Sequence, residues 1–440
     1  MKKYSITAKG PELGMAPNRE VKMIPPELIE DYLTIYLNAY PAFKNIGDEG
    51  REKYRNRLLG SMANDKNINF YGLYEDGTLI ALMKLIDFQM NAFGEMKRAC
   101  GLMSLAVHPM HKKKGSGRDM VRFFEKYTKE TGCIVAMLLP FRMDFYRNMG
   151  YGYGTKLEEY HIPTTSLPSC EDTSKIRFLE ADELPEILKF QAEFAKQNHG
   201  LLEKFEDEIR DMKGDSDSRR IGYVEDGKLR GYAVYNFVNT SGVNYTLNKI
   251  EVNEFTYDSP EVLRSLLGYL RNQSDLAQSI VIRTGEEDFY HILPSAQDVT
   301  GNYIDFGFLQ TNIGAIGTMY KVIDPKFFVE ATGYRKFLPL NVTVGFDYYD
   351  ELAHEEKVVN IKFEANLETK VAKWSVLADD AECDVRAKCN LADLSSLFMG
   401  SAHFASLVRL GTIKLSDREY EDILDALFYC KQKPWTNTDY

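Results

Sequence analysis

Residues 70–88 read FYGLYEDGTLIALMKLIDF, and residues 220–237 read RIGYVEDGKLRGYAVYNF. Each is a strand, a Glu-Asp-Gly turn (Glu75-Asp76-Gly77 and Glu225-Asp226-Gly227) and a second strand, and the two turns lie 150 positions apart. The central Asp-Gly suits a tight turn that needs positive φ. Helix-rich segments precede both hairpins: PPELIEDYLTIYLNAY from Pro25 and ADELPEILKFQAEFAKQ from Ala181. Strand, helix and strand follow both. In the first copy these are Leu102–Val107, a helix near Arg118 to Glu130, and Cys133–Pro140. In the second they are Lys249–Tyr257, Pro260–Gln278 and Ser279–Thr284. A hairpin can recur by accident; a hairpin recurring with its neighbours in order indicates two homologous domains.

From about Met319 the pattern changes to antiparallel strands, NVTVGFDYYD and EEKVVNIKFEANL, then AECDVRAKCNLADLSSLFMG and a helix over Glu419 to Tyr429. That order suggests a separate α+β domain. The expected architecture is mixed α/β in three parts: 1–165, 166–314 and 315–440.

Composition narrows the function classes. The 440 residues carry 54 Lys and Arg against 65 Asp and Glu, a net charge of −11. A nucleic-acid coat, which needs a cationic face, is not expected. An acidic surface favours cationic small molecules or Lys-rich partners. The six cysteines form no CxxC pair and no disulfide framework. The seven histidines show no HxxxH or HExxH spacing, so no metal is expected. The opening Met1-Lys2-Lys3-Tyr4 leads into no apolar stretch, and the longest apolar run, Ile134 to Phe141, is far shorter than the ~20 residues of a membrane span. The expectation is a cytoplasmic protein without a membrane partner.

The strongest local chemical signal is Val107-His108-Pro109-Met110-His111-Lys112-Lys113-Lys114-Gly115-Ser116-Gly117. It joins a strand to a helix whose Met120, Val121, Phe123, Phe124 and Tyr127 share one face. Two glycines let backbone approach a ligand closely, and a helix start behind three cations suits a pyrophosphate. No GxxxxGK[ST] is present, so this is not a Walker loop. The plainer reading is a solvated basic turn. After the next strand comes Phe141-Arg142-Met143-Asp144-Phe145-Tyr146-Arg147-Asn148-Met149-Gly150-Tyr151, a short helix capped by Gly150 with Tyr146 one turn earlier. A phenol (pKa near ~10) can protonate a departing thiolate (near ~8.5), although a lone tyrosine is ordinarily a packed aromatic.

Together these segments resemble the GNAT acetyltransferase superfamily, whose pattern V-x-P-x-x-(Q/R)-x-x-G-x-(G/A) is met by Val107, Pro109, Gly115 and Gly117, followed by Y-x-x-x-G-(F/Y) at Tyr146, Gly150 and Tyr151. Lys112 stands at the Gln/Arg position, a point charge in place of a fork. The resemblance implies that the backbone of Leu105, Ala106 and Val107 pairs with the pantetheine of acetyl-CoA. It implies too that Lys112, Lys113, Lys114, Gly115, Ser116 and Gly117 hold the pyrophosphate. Over the whole chain the order of parts is similar to the enhanced-intracellular-survival (Eis-type) acetyltransferases: two GNAT folds, then a sterol-carrier-protein-like domain. That likeness implies direct acetyl transfer to primary amines, of aminoglycoside-like polyamines or lysine side chains. It also implies Tyr146 as the acid, the C-terminal carboxylate, here of Tyr440, as the base, and a homohexamer. The second copy passes from its strand through Asp258-Ser259-Pro260 into helix with no cationic glycine loop, so one active site per chain is expected. The rival expectation is a non-catalytic protein that binds lipid in its third domain and keeps the acetyltransferase fold as a relic. The retained loop of the first copy speaks against it.

Overall fold

The computed structural model describes residues 4–40, 47–170 and 172–438. Three mixed sheets follow from the alternation read above. They fall in two compact units. One runs up to Gly154 and resumes over Thr318–Pro434; the other is Thr155–Gly317 joined by the tail from Trp435.

In the first unit an eight-stranded sheet has the order Ala8–Lys9, Arg19–Met23, Ile68–Glu75, Thr78–Ala92, Glu95–Val107, Val135–Leu138, Met319–Lys321, Gly152–Tyr153. Asp76 (φ 49°) and Gly77 (φ 82°) make the left-handed turn that the Asp-Gly pair forecasts. The helix Ser116–Glu130 buries Met120, Val121, Phe123, Phe124 and Tyr127, the face read from their spacing. The same unit holds a five-stranded sheet, Val371–Val376, Glu355–Asn366, Val342–Asp350, Val385–Asn390, Lys414–Leu415. Phe346, Phe363, Trp374, Phe398 and Phe428 pack together against it, with ring centroids 5.5 to 6.5 Å apart. Trp374 is a packing residue whose indole N–H donates to the Thr332 carbonyl at 3.0 Å.

The second unit repeats the design in seven strands: Ile313–Ile316, Lys156–Pro163, Ser279–Thr284, Asn248–Tyr257, Lys228–Asn239, Arg219–Glu225, Ile176–Phe178. Its turn repeats as well, at Asp226 (φ 50°) and Gly227 (φ 74°).

Sheet membership does not follow the expected boundaries at 165 and 315. Lys156–Pro163 pairs antiparallel with Ser279–Thr284 of the second sheet. Met319–Lys321 inserts between Val135–Leu138 and Gly152–Tyr153 of the first. Such pairing is set by partners more than a hundred residues away, and nothing in the local pattern of these short strands encodes it. Lys321 ties the insertion in place: its buried ammonium donates to Glu125 Oε1 and to the Met149 carbonyl, each at 2.8 Å.

Candidate active site

The first sheet is splayed where the sequence places the pantetheine strand. Glu95–Val107 runs parallel to Val135–Leu138 only from Ala99↔Val135 to Leu102↔Leu138. Val135–Leu138 ends opposite Leu102, and among the described residues no strand pairs with Met103–Val107 on that side. On its other side the strand pairs with Thr78–Ala92 through a register shift between Leu82 and Lys84. The extra residue lies at Ser104, whose φ of 56° marks a bulge that turns the backbone. Leu105, Ala106 and Val107 therefore lie on a strand edge of the kind a peptide-like arm can extend, with the Leu105 carbonyl already held by a side chain.

The edge leads into the cationic loop. Pro109 ends the ladder; Lys113 (φ 61°) and Gly115 (φ 85°) bend the chain into the helix. Gly115 is the N-cap and supplies no side-chain cap, so among the described residues no capping side chain takes the first-turn amides. Lys112, Lys113 and Lys114 are exposed, and Ser116 Oγ is buried without a hydrogen-bond partner. A Cβ on Gly117 would meet the Phe145 ring at 3.3 Å. The loop is braced from beneath. Arg19, 8% exposed, donates from Nη1 to the Lys114 carbonyl at 3.2 Å and to Asp119 Oδ2 at 2.7 Å, and from Nε to Glu75 Oε1 at 2.9 Å. That hydrogen bond holds the Glu75 carboxyl below its ordinary range. Arg19 carries no local signal, since Lys114 is 95 positions distant.

Tyr146 lies in the short helix Met143–Arg147, which Gly150 (φ 88°) ends, the Tyr151 N–H returning to the Tyr146 carbonyl at 3.2 Å. Its ring is edge-on to Phe141, Phe145 and Tyr151 at 5.1 to 6.1 Å. Burial, with a smaller contribution from Tyr40, pushes its pKa up. The phenol thus stays protonated at any working pH, as a donor.

Tyr40 escapes the motif reading. Its hydroxyl donates to the Leu105 carbonyl at 3.1 Å, and burial raises its pKa to about 12. Tyr36, one turn earlier, hydrogen-bonds Ser104, and the Tyr36 ring lies tilted against those of Tyr32 and Tyr40, at 5.8 and 5.2 Å between centroids. Three tyrosines at i, i+4, i+8 were the available signal. Glu30, on the first helix, Ile29–Ala39, which Tyr40 ends, is an exposed partner of Arg51 and Arg55. Leu105 to Val107, Lys112 to Gly117 and Tyr146 all belong to the first unit; Tyr440 lies outside the described residues. Among the described residues no cluster of three or more His, Cys, Asp or Glu could hold a metal ion, and no helix is long and apolar enough to cross a membrane.

The second unit carries the same splay with another ending. Asn248–Tyr257 pairs with Ser279–Thr284 only from Lys249↔Ser279 to Val252↔Ile282. The chain then enters its helix through Ser259, whose hydroxyl accepts from the Val262 N–H at 3.4 Å. Pro260 has no N–H to offer, and the Asp258 carboxylate stands beside them, held by Arg230 Nε at 3.0 Å. Every feature that would greet an anion is absent or reversed. The triplet Asp288-Phe289-Tyr290 does repeat Asp144-Phe145-Tyr146. Tyr290, however, is 41% exposed where Tyr146 is 3%.

Family models agree with this geometry. Residues 22–154 match an acetyltransferase (GNAT) domain, 200–304 a second acetyltransferase (GNAT) domain, and 326–437 a sterol carrier protein domain. No curated protein matches the sequence. Among solved structures, a GCN5-related N-acetyltransferase from Anabaena variabilis is similar over 96% of this chain and 100% of its own, at TM-score 0.76 and 13% identity. Another, from Kribbella flavida, is similar over 96% and 98%, at 0.72 and 16%. The chain is a GNAT acyltransferase, with two such domains ahead of a sterol carrier domain. Its fold is shared with Eis1 from Mycobacterium abscessus, at TM-score 0.72 and 19% identity over 96% of this chain and 100% of that one.

Proposed function

We propose that the protein transfers the acetyl group of acetyl-CoA to primary amines by direct attack, at one site per chain, in the first domain. The observation that supports this best is the continuity of an open strand edge, Met103–Val107, with an uncapped helix start at Gly115 behind Lys112, Lys113 and Lys114. Pantetheine pairs along the edge through Leu105, Ala106 and Val107. The diphosphate takes the free amides of Ser116 and Gly117 and the lysine charges, a combination of dipole and cations suited to an anion.

The acetyl-thioester then lies toward Ser104 and the tyrosines of the first helix. Tyr146 gives its proton to the thiolate as the C–S bond breaks, and the amine nitrogen forms the new bond to the acetyl carbon. An alkylammonium, with pKa near ~10.4, must first lose a proton, and the carboxylate of Tyr440 is the proposed acceptor. The acidic balance of the chain favours cationic acceptors, either aminoglycoside-like polyamines or lysine side chains. A homohexamer in the cytoplasm completes the reading, on family likeness.

Calorimetric titration with acetyl-CoA, followed by thiol release against aminoglycosides, polyamines and lysine peptides, tests it. One equivalent of heat and amine-dependent thiol release are expected. Absence of coenzyme binding overturns the reading.

A further inference from the structure

Segment 435–438 touches both lips of the second domain's splayed strands. The offset of 150 positions holds from the turns through the central strand pairing: Leu82↔Ala106 in the first sheet has its counterpart in Tyr232↔Thr256. Thr256 thus stands where the first domain has Ala106, on the strand edge assigned to pantetheine. There the Asn437 side chain donates from Nδ2 to Thr256 Oγ1 at 3.1 Å and accepts at Oδ1 from Gln191 Nε2 at 2.8 Å. Gln191 is fully buried, and Lys204, 1% exposed and paired with Glu208 at 2.5 Å and Glu254 at 3.4 Å, reaches the Asn437 carbonyl at 3.5 Å.

The opposite lip of the slot is cut to fit. Gly285 directly follows the strand Ser279–Thr284, and a Cβ there would come within 2.8 to 3.1 Å of Trp435 Cβ, Cγ and Cδ2. The strand pairings Ala99↔Val135 and Lys249↔Ser279 place Phe141 at the corresponding point of the first domain, where it is 68% exposed. Thr438, the last described residue, is 3% exposed.

We infer that the second domain's slot is a binding site for the chain's own segment 435–438, with Asn437 as the positioning residue that sets where the final two residues begin. The amide meets a donor and an acceptor together, which neither Asp nor Ala at 437 reproduces. The consequence for catalysis rests on the proposed role of the Tyr440 carboxylate: a loosened tail lowers the chance that its base is in place, without touching the coenzyme.

Trp374 and Trp435 are the only tryptophans, so a Trp374→Phe background makes Trp435 the sole reporter. In that full-length background, Asn437→Ala is expected to raise acrylamide quenching of Trp435 at least threefold. It should also lower kcat at least tenfold, with the acetyl-CoA Kd unchanged. Gly285→Ala, whose three nearest neighbours are all atoms of Trp435, should do the same, and thermal melting identifies any variant that has unfolded. Unchanged quenching in both folded variants overturns the inference. Raised quenching with unchanged kcat upholds the slot and removes the Tyr440 carboxylate from the mechanism.

Discussion

The two GNAT domains share a turn, a splayed strand pair and an Asp-Phe-Tyr triplet, and differ at the start of one helix. In the first, Gly115 leaves amides uncapped behind three lysines. In the second, Ser259 caps Val262, Pro260 removes a donor and Asp258 reverses the charge. The splay is a property of the fold, because both copies have it. The proposed anion recognition rests on a few residues at the end of one strand. A tyrosine at the right distance along the chain does not identify a catalytic acid either: Tyr290 keeps the spacing and loses the enclosure.

The largest expected effect tests that last contrast. Tyr146→Phe should lower kcat by about a hundredfold or more, the usual scale for a lost general acid, with the acetyl-CoA Kd unchanged. Tyr290→Phe should leave both alone. Equal losses from the two would mean that both hydroxyls serve turnover, and that enclosure does not set Tyr146 apart from Tyr290. Because burial raises the Tyr146 pKa, the wild-type kcat should show no alkaline fall attributable to this phenol below about pH 10.

Next in size is the loop. Changing Lys112, Lys113 and Lys114 together to Ala should weaken acetyl-CoA binding by about 10- to 100-fold, with most of the loss removed at high salt, since these side chains are exposed. Calorimetry should still count one coenzyme per chain in the wild type. A second equivalent that survives the triple substitution would place a site in the second domain and break the comparison.

Much of this contrast is legible in the sequence, for a physical reason. Glycines, a proline and a run of lysines act on their own stretch of backbone, so VHPMHKKKGSG against DSP can be read without a fold. The turns at Asp76-Gly77 and Asp226-Gly227 are local in the same sense. What escaped reading is non-local. The bulge at Ser104 depends on register with Leu82 and Lys84, and the brace of Arg19 on Lys114 spans 95 positions. The exchange of Lys156–Pro163 and Met319–Lys321 between sheets depends on partners that no periodicity names. Tyr36 and Tyr40 fall between the cases: their helical spacing is plain, and their reach to Ser104 and Leu105 is not.

The smallest expected effect is the sharpest on the helix starts themselves. Ser259 is a structural cap: its hydroxyl satisfies the Val262 N–H that water would otherwise have to reach. Replacing it by Ala should cost about 1 kcal/mol of stability, as N-cap losses do. For a unit of this size that amounts to about 2–4 °C in Tm. It should leave the acetyl-CoA Kd and kcat untouched, because Asp258 and Pro260 still deny an anion the place. Gly115 has no cap to lose, so Gly115→Ala should act differently. Its open surroundings accept a methyl group, and its φ of 85° opposes a side chain by about 1–2 kcal/mol. The strain falls on the loop geometry, and acetyl-CoA affinity should drop about fivefold or more. Should Ser259→Ala shift coenzyme affinity while Gly115→Ala shifts only Tm, the two helix starts have been assigned the wrong way round.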